Sequence, residues 1–191
     1  MQLTRIPFSA WLGIVLALTF VFVAVFAPLI APFGEGEIVG GLWESSTAAH
    51  WFGTDNIGRD LLTRMIYGAR TTLWIAAVAT AISFSLGSIL GFTAAVIGGW
   101  TDQILSRIVD LLMAIPTLIF ALVVLSVMPT TTLTLILVMG ILDSTRVFRL
   151  ARAVAVDINV MDFVEAAKLR GEGRRWIIFR EILPNALSPL V

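Results

Sequence analysis

The chain has 191 residues, 58% of them hydrophobic and 14% charged, and a mean hydropathy of +0.95. That balance excludes an ordinary soluble domain and makes lipid the expected solvent. Thirteen basic residues cancel thirteen acidic ones, so charge points to no nucleic-acid partner, and the lack of cysteine excludes disulfides and thiolate chemistry.

Residues 10–30 form one apolar run. It is longer than the roughly 7–15 residues of a signal-peptide core, and no A-x-A cleavage site follows. It predicts a retained transmembrane helix, with Pro28 and Pro32 bracketing its far end. Residues 31–70 are polar and contain Gly53-Thr54-Asp55-Asn56-Ile57-Gly58-Arg59-Asp60. The string has neither the spacing of a phosphate loop nor the late glutamate of an EF-hand. Gly53 and Gly58 are expected in tight turns, and Asp60 as the cap of a short helix carrying Arg64. His50, the single histidine, is expected to be a loop residue and not a metal ligand.

Residues 73–97 predict a second membrane helix. Ala79, Ser83, Gly87, Gly91, Ala95 and Gly99 recur every four residues, which puts small side chains on one face and lets another helix approach closely. Residues 108–128 predict a third crossing, kinked by Pro116 in its interior. The fourth, at 131–150, is apolar only as far as Leu142, so its helix has to continue through Asp143, Arg146 and Arg149. Asp143 and Arg146 sit three apart and can pair on one face, either along a watery passage or at the cytoplasmic interface.

The stretch from Asp162 to Pro184 is different. Asp162 and Glu165 have the D-x-x-E spacing of a capping box, Ala166 to Arg170 are strong helix formers, and Gly171 suits the left-handed residue past a helix end. Arg174 to Arg180 mix cations with large apolar side chains, as in a helix at a membrane surface. Eight of the thirteen basic residues lie from Arg146 onward, past the apolar part of the fourth crossing, so the positive-inside tendency places that region in the cytoplasm. Counting back, the N-terminus with Arg5 is cytoplasmic and 31–70 external. A fifth crossing would begin near Ile182.

Glu165-Ala166-Ala167 with Gly171, followed by Leu183-Pro184, resembles the EAA loop of membrane subunits of binding-protein-dependent ABC importers. The G-T-D-x-x-G-R-D string, continuing to Tyr67-Gly68-Ala69-Arg70, resembles the dipeptide, oligopeptide and nickel branch of that family. One departure is Glu181, where the family pattern has an apolar residue three before the proline. The resemblance implies an all-α integral membrane fold, the type I ABC-importer transmembrane subunit, with about four complete helices plus the start of a fifth. Members have six crossings, so the sequence is expected to be a C-terminally shortened subunit or part of one. The family's coupling loop corresponds to 157–181, which implies ATPase contact by Glu165, Ala166, Ala167, Leu169, Arg170 and Gly171. Implied partners are cytoplasmic ATPase subunits, a second homologous permease subunit and an extracytoplasmic substrate-binding protein, at a prokaryotic inner membrane. The implied cargo is a di- or oligopeptide, with nickel chelate or glutathione as alternatives. No phosphate loop, catalytic cluster, cofactor or metal site is legible, so ATP hydrolysis is assigned to the partner. A secondary transporter or a membrane scaffold are the competing classes.

Overall fold

The computed structural model describes residues 7–190, so Arg5 lies outside the described part. Among the described residues the chain is helical, with no named strand and only two isolated antiparallel bridges, Ile38 with Arg59 and Thr54 with Asp60. It divides into two compact units, residues 1–76 and 77–191.

In the first unit the predicted run 10–30 is two helices, α1 (Phe8–Val25) and α2 (Ala27–Ile30). The break falls at Phe26, ahead of the prolines. Pro28 sits in the first turn of α2, where its missing N–H leaves no partner unsatisfied. Helix α3 (Leu61–Ile97) starts in this unit and is far longer than expected. The short helix foreseen after Asp60 and the predicted span 73–97 are one helix, because nothing between Leu61 and Leu73 breaks it. Asp60 does act as its cap: Oδ2 accepts from the Thr63 N–H at 2.7 Å.

In the second unit α3 ends before Gly98 and Gly99, both at positive φ (65° and 56°), so Gly99 opens the next helix past a sharp turn and is not part of the small-residue stripe on α3. The rest of that stripe packs as expected. A Cβ on Gly87 would meet the Ser144 carbonyl oxygen at 2.6 Å, and one on Gly91 the Phe148 oxygen at 2.8 Å. From the facing helix α6 (Thr132–Asn159), Gly140 returns the fit, since a Cβ there would meet Ile82 at 2.9 Å. Backbones this close pack without side-chain entropy loss.

The predicted crossing 108–128 is not one helix. α4 (Gly99–Ala114) and α5 (Thr117–Val127) meet at a bend of 86°. Pro116 removes a backbone donor and forces Ile115 into an extended conformation (φ −95°, ψ 129°), so the helix stops instead of kinking. α1 and α3 are each long and apolar enough to cross a membrane, and the bent α4–α5 pair would be a third such segment if it is one span. α6 runs unbroken through Asp143, Arg146 and Arg149 as its sequence requires, with Thr131 accepting from the Thr134 N–H as its cap.

Candidate functional site

After Val160 and Met161 comes α7 (Asp162–Leu169), then α8 (Arg174–Trp176). α8 continues through a π-helical turn, Ile177–Ile182, into α9 (Leu183–Leu190). The turn between α7 and α8 is a complete Schellman motif. The Glu172 N–H donates to the Ala167 carbonyl and the Gly171 N–H to the Lys168 carbonyl. Gly171 has φ +83°, the left-handed conformation expected of it. The predicted capping box does not form. Met161 is the cap residue, Asp162 is already inside the helix, and no side chain caps it. Asp162 and Glu165 instead place negative charge in the first turn, where the helix dipole favours it.

The hairpin is anchored by apolar burial. Val164 of α7 joins Ile177, Ile178, Ile182 and Ala186 in one core, which α6 extends with Ala151, Ala155 and Ile158 and α3 with Phe92. Each buried isoleucine is worth about 1.5–3 kcal/mol. Ala167, three residues after Val164, is fully buried as well, so in this chain it faces the interior of the hairpin. The opposite face is open: Glu165, Ala166, Leu169 and Arg170 are exposed, and Leu169 is 84% accessible. Arg170 reaches back to Glu181 at 3.7 Å and lies 5.9 Å from the centre of the Trp176 ring. Glu181, the departure from the family pattern, is therefore the half-buried partner of the motif's own arginine.

The expected pair of Asp143 and Arg146 is absent. Asp143 is half-buried, Arg146 exposed, and no ion pair joins them. The arginines one and two turns further along α6 are paired instead. Arg149 binds Asp110 at 2.7 Å, and Arg152 holds both carboxylate oxygens of Asp102, which also accepts from Ser106. Both pairs tie α6 to α4 across 39 and 50 residues of sequence, a distance at which local spacing gives no signal. They flank an open cavity of about 550 Å³ lined by Trp100, Arg107 and Leu111 among others.

The polar segment 31–60 is ordered by its own side chains. Thr54 donates to the Gly41 carbonyl at 2.7 Å and accepts from the Glu44 N–H at 2.8 Å. Asp55 accepts from the N–H groups of Ile57 and Arg59 and binds the Arg59 guanidinium at 2.8 Å. Partial burial would raise the Asp55 pKa, but those donors outweigh it and hold it down to about 2. Asp60 is held below the usual value in the same way, its burial outweighed by the Thr63 N–H and the His50 ring. His50 is thus a buried structural residue, 3.2 Å from Asp60, a pairing that sequence spacing did not reveal. No group of side chains that could hold a metal occurs among the described residues.

Membrane-length apolar helices, a small-residue packing face and a rigid polar hairpin together define an integral membrane subunit of helical architecture. Residues 86–191 match the model of the family described as binding-protein-dependent transport system inner membrane component, and the chain belongs to that family. Its fold is accordingly that of a type I ABC-importer membrane subunit. It is 32% identical to the dipeptide transport system permease protein DppC of Alkalihalophilus pseudofirmus over 95% of this chain and 60% of that protein. It is likewise 32% identical to the DppC of Haemophilus influenzae, over 96% of this chain and 64% of that one. The chain thus spans somewhat under two thirds of the length of these relatives.

Proposed function

We propose that the chain is a translocation subunit of an ATP-driven importer for di- or oligopeptides, and that a separate ATPase subunit docks on its α7 hairpin. The observation that carries this reading is the two-sidedness of the hairpin. Val164 fixes it in a core shared with α6 and Ala167 is buried, while Glu165, Ala166, Leu169 and Arg170 face outward from a stable support. An exposed leucine beside paired charges on a rigid element suits a protein partner. Gly171 and Ala167 serve the site from within, by shaping the turn and the seat. Peptide cargo is favoured by the names of the relatives, both dipeptide permeases. A second, related permease subunit and a binding protein complete the proposed assembly.

In this reading residues 157–181 and the N-terminus face the cytoplasm and 31–70 the outside, with membrane segments near 10–30 (α1 and α2), 73–97 (within α3), 108–128 (the bent α4–α5 pair) and 131–150 (within α6). Asp143 and Arg146, unpaired with each other, stay candidates for the pathway as separate charges. The test is reconstitution with the ATPase, the partner permease and the binding protein. Leu169→Glu, at an exposed position, should leave the subunit inserted but cut ATPase recruitment about tenfold or more, the loss typical of an interface anchor worth over 1 kcal/mol. Unchanged recruitment and peptide-stimulated hydrolysis would refute docking on this face. Orientation is checked by cysteines at the exposed positions Glu35 and Val160: only the first should label from outside intact cells.

A further inference from the structure

We infer that the segment between α2 and α3 is a lipid anchor, which lays Leu42, Trp43, Trp51 and Phe52 into the headgroup boundary of the bilayer. The segment is built inside out for a soluble loop. His50, Thr54, Asp55 and Asp60 are buried, whereas Leu42, Trp43, Trp51 and Phe52 are 68%, 73%, 69% and 55% exposed. Four of its five carboxylates are engaged internally. Glu37 and Glu44 accept from the N–H groups of Gly34 and Gly41, Asp55 pairs with Arg59, and Asp60 pairs with His50. Those four large apolar side chains share the outside with Ser45, Ser46 and Thr47, a mixture that suits the headgroup boundary better than bulk water or hydrocarbon.

The depth is set by how the segment is tied down. The His50 ring lies 5.4 Å from that of Phe33, three residues past α2, and binds Asp60, the residue before α3. The middle of the segment is therefore fastened to both of its ends, beside two helices, α1 and α3, long enough to cross the membrane. The tie to Phe33 keeps it close to the end of α2, where the first apolar run ends. Tryptophan, with an apolar ring and one N–H donor, is the residue that favours this boundary. Trp43 adds a separate sign. It is the only non-glycine among the described residues at positive φ (54°), a conformation unfavourable for a bulky side chain, and its N–H is held by the Asp55 carbonyl. The fold thus accepts backbone strain at the residue whose ring it turns outward.

The test uses the chain assembled with its partner subunits in phosphatidylcholine nanodiscs. Trp11, Trp74, Trp100 and Trp176 are replaced by Phe, leaving Trp43 and Trp51 as reporters. Lipids brominated near the headgroup end of the acyl chain should quench their emission several-fold more than lipids brominated near the chain terminus, and iodide should quench little. Strong iodide quenching with no effect of bromolipid would show a solvated loop and overturn the anchor. Quenching by neither would show a covering protein and overturn it equally. If the fourfold variant does not assemble, a spin label at Leu42→Cys in the otherwise cysteine-free chain decides the matter. Collisions with oxygen should exceed those with a water-soluble nickel chelate, and the reverse order refutes the proposal.

Discussion

The segment 31–60 and the hairpin 160–186 both lie outside the long helices, both turn on glycines at positive φ, and they are held together by opposite means. The first has a polar interior, in which Thr54, Asp55 and Asp60 organise the backbone through directed hydrogen bonds. The second has an apolar interior of Val164, Ile177, Ile178 and Ile182, with its charged groups outside. The glycines differ accordingly. Gly53 and Gly58 face the carbonyl oxygens of Glu44 and Gly40 so closely that no Cβ fits, whereas nothing lies within 4 Å of a Cβ placed on Gly171. A hydrogen-bonded loop fixes its glycines by dihedral and by contact. A hairpin held by its core fixes the turn by dihedral alone.

The largest effect should come from breaking the doubly constrained turn. Gly58→Ala meets both the left-handed penalty of about 1–2 kcal/mol and a backbone collision of the overpacking kind, about 1–3 kcal/mol more. Limited trypsin digestion should then open the chain at Arg59 and Arg64, while the same substitution at Gly171 should leave the hairpin resistant. Equal resistance at both sites would mean that the contact at Gly58 is relieved without consequence.

Next in size is the hairpin core. Ala167→Trp has no room and should dislodge α7 at a cost of about 1–3 kcal/mol or more, read as faster amide exchange throughout 162–170. Ala166→Trp, one residue away on the exposed face, should leave exchange unchanged and interfere only with docking of the ATPase. If both variants exchange alike, the two-sidedness of α7 is wrong.

A smaller effect separates dihedral from shape at the turn. Gly171→Val should destabilise the Schellman turn by about 1–2 kcal/mol, and Gly171→Asn, which tolerates the left-handed region, by clearly less. Transport-coupled hydrolysis should follow the same order, Gly above Asn above Val. Valine performing as well as glycine would remove the turn from the coupling function.

Sequence spacing exposed what local chemistry determines. The turn glycines 53, 58 and 171, the small-residue face from Ala79 to Ala95, the cap at Asp60 and the continuation of α6 through its charges all follow from neighbours within one or two turns. It failed where partners are distant. Asp143 and Arg146 have the right spacing to pair, yet Asp102 and Asp110 of α4 bind Arg152 and Arg149, and only the fold brings them together. His50 looked solitary because Asp60 reaches it by a chain reversal. Pro116 announced a disruption but not its angle, since that depends on what α4 and α5 pack against. The burial of Ala167 was legible by contrast: its i+3 relation to Val164 places both on one face, and both are fully buried.

The smallest effect, and the most selective, is acid. Asp55 has a pKa of about 2 against an ordinary 3.8, and Asp60 is also depressed. A carboxyl whose folded pKa lies below its unfolded value stabilises the fold fully above the unfolded value and loses that contribution as pH falls toward the folded one. The segment 31–60 should therefore loosen between about pH 4 and pH 2, where the Asp55 carboxylate that orders the N–H groups of Ile57 and Arg59 is progressively protonated. The hairpin's apolar core contains no carboxylate, so that core should hold through the same window. Tryptophan emission from Trp43 and Trp51 on one side, and from Trp176 on the other, would follow the two regions separately in single-region reporters. Asp55→Asn keeps an oxygen that can accept the Ile57 and Arg59 N–H groups but gives up the charge facing the guanidinium. It should begin less stable at neutral pH and lose much of the acid transition. An acid response of equal size in both regions would mean that protonation acts on the membrane environment or the whole chain, and not through the carboxylates of this segment.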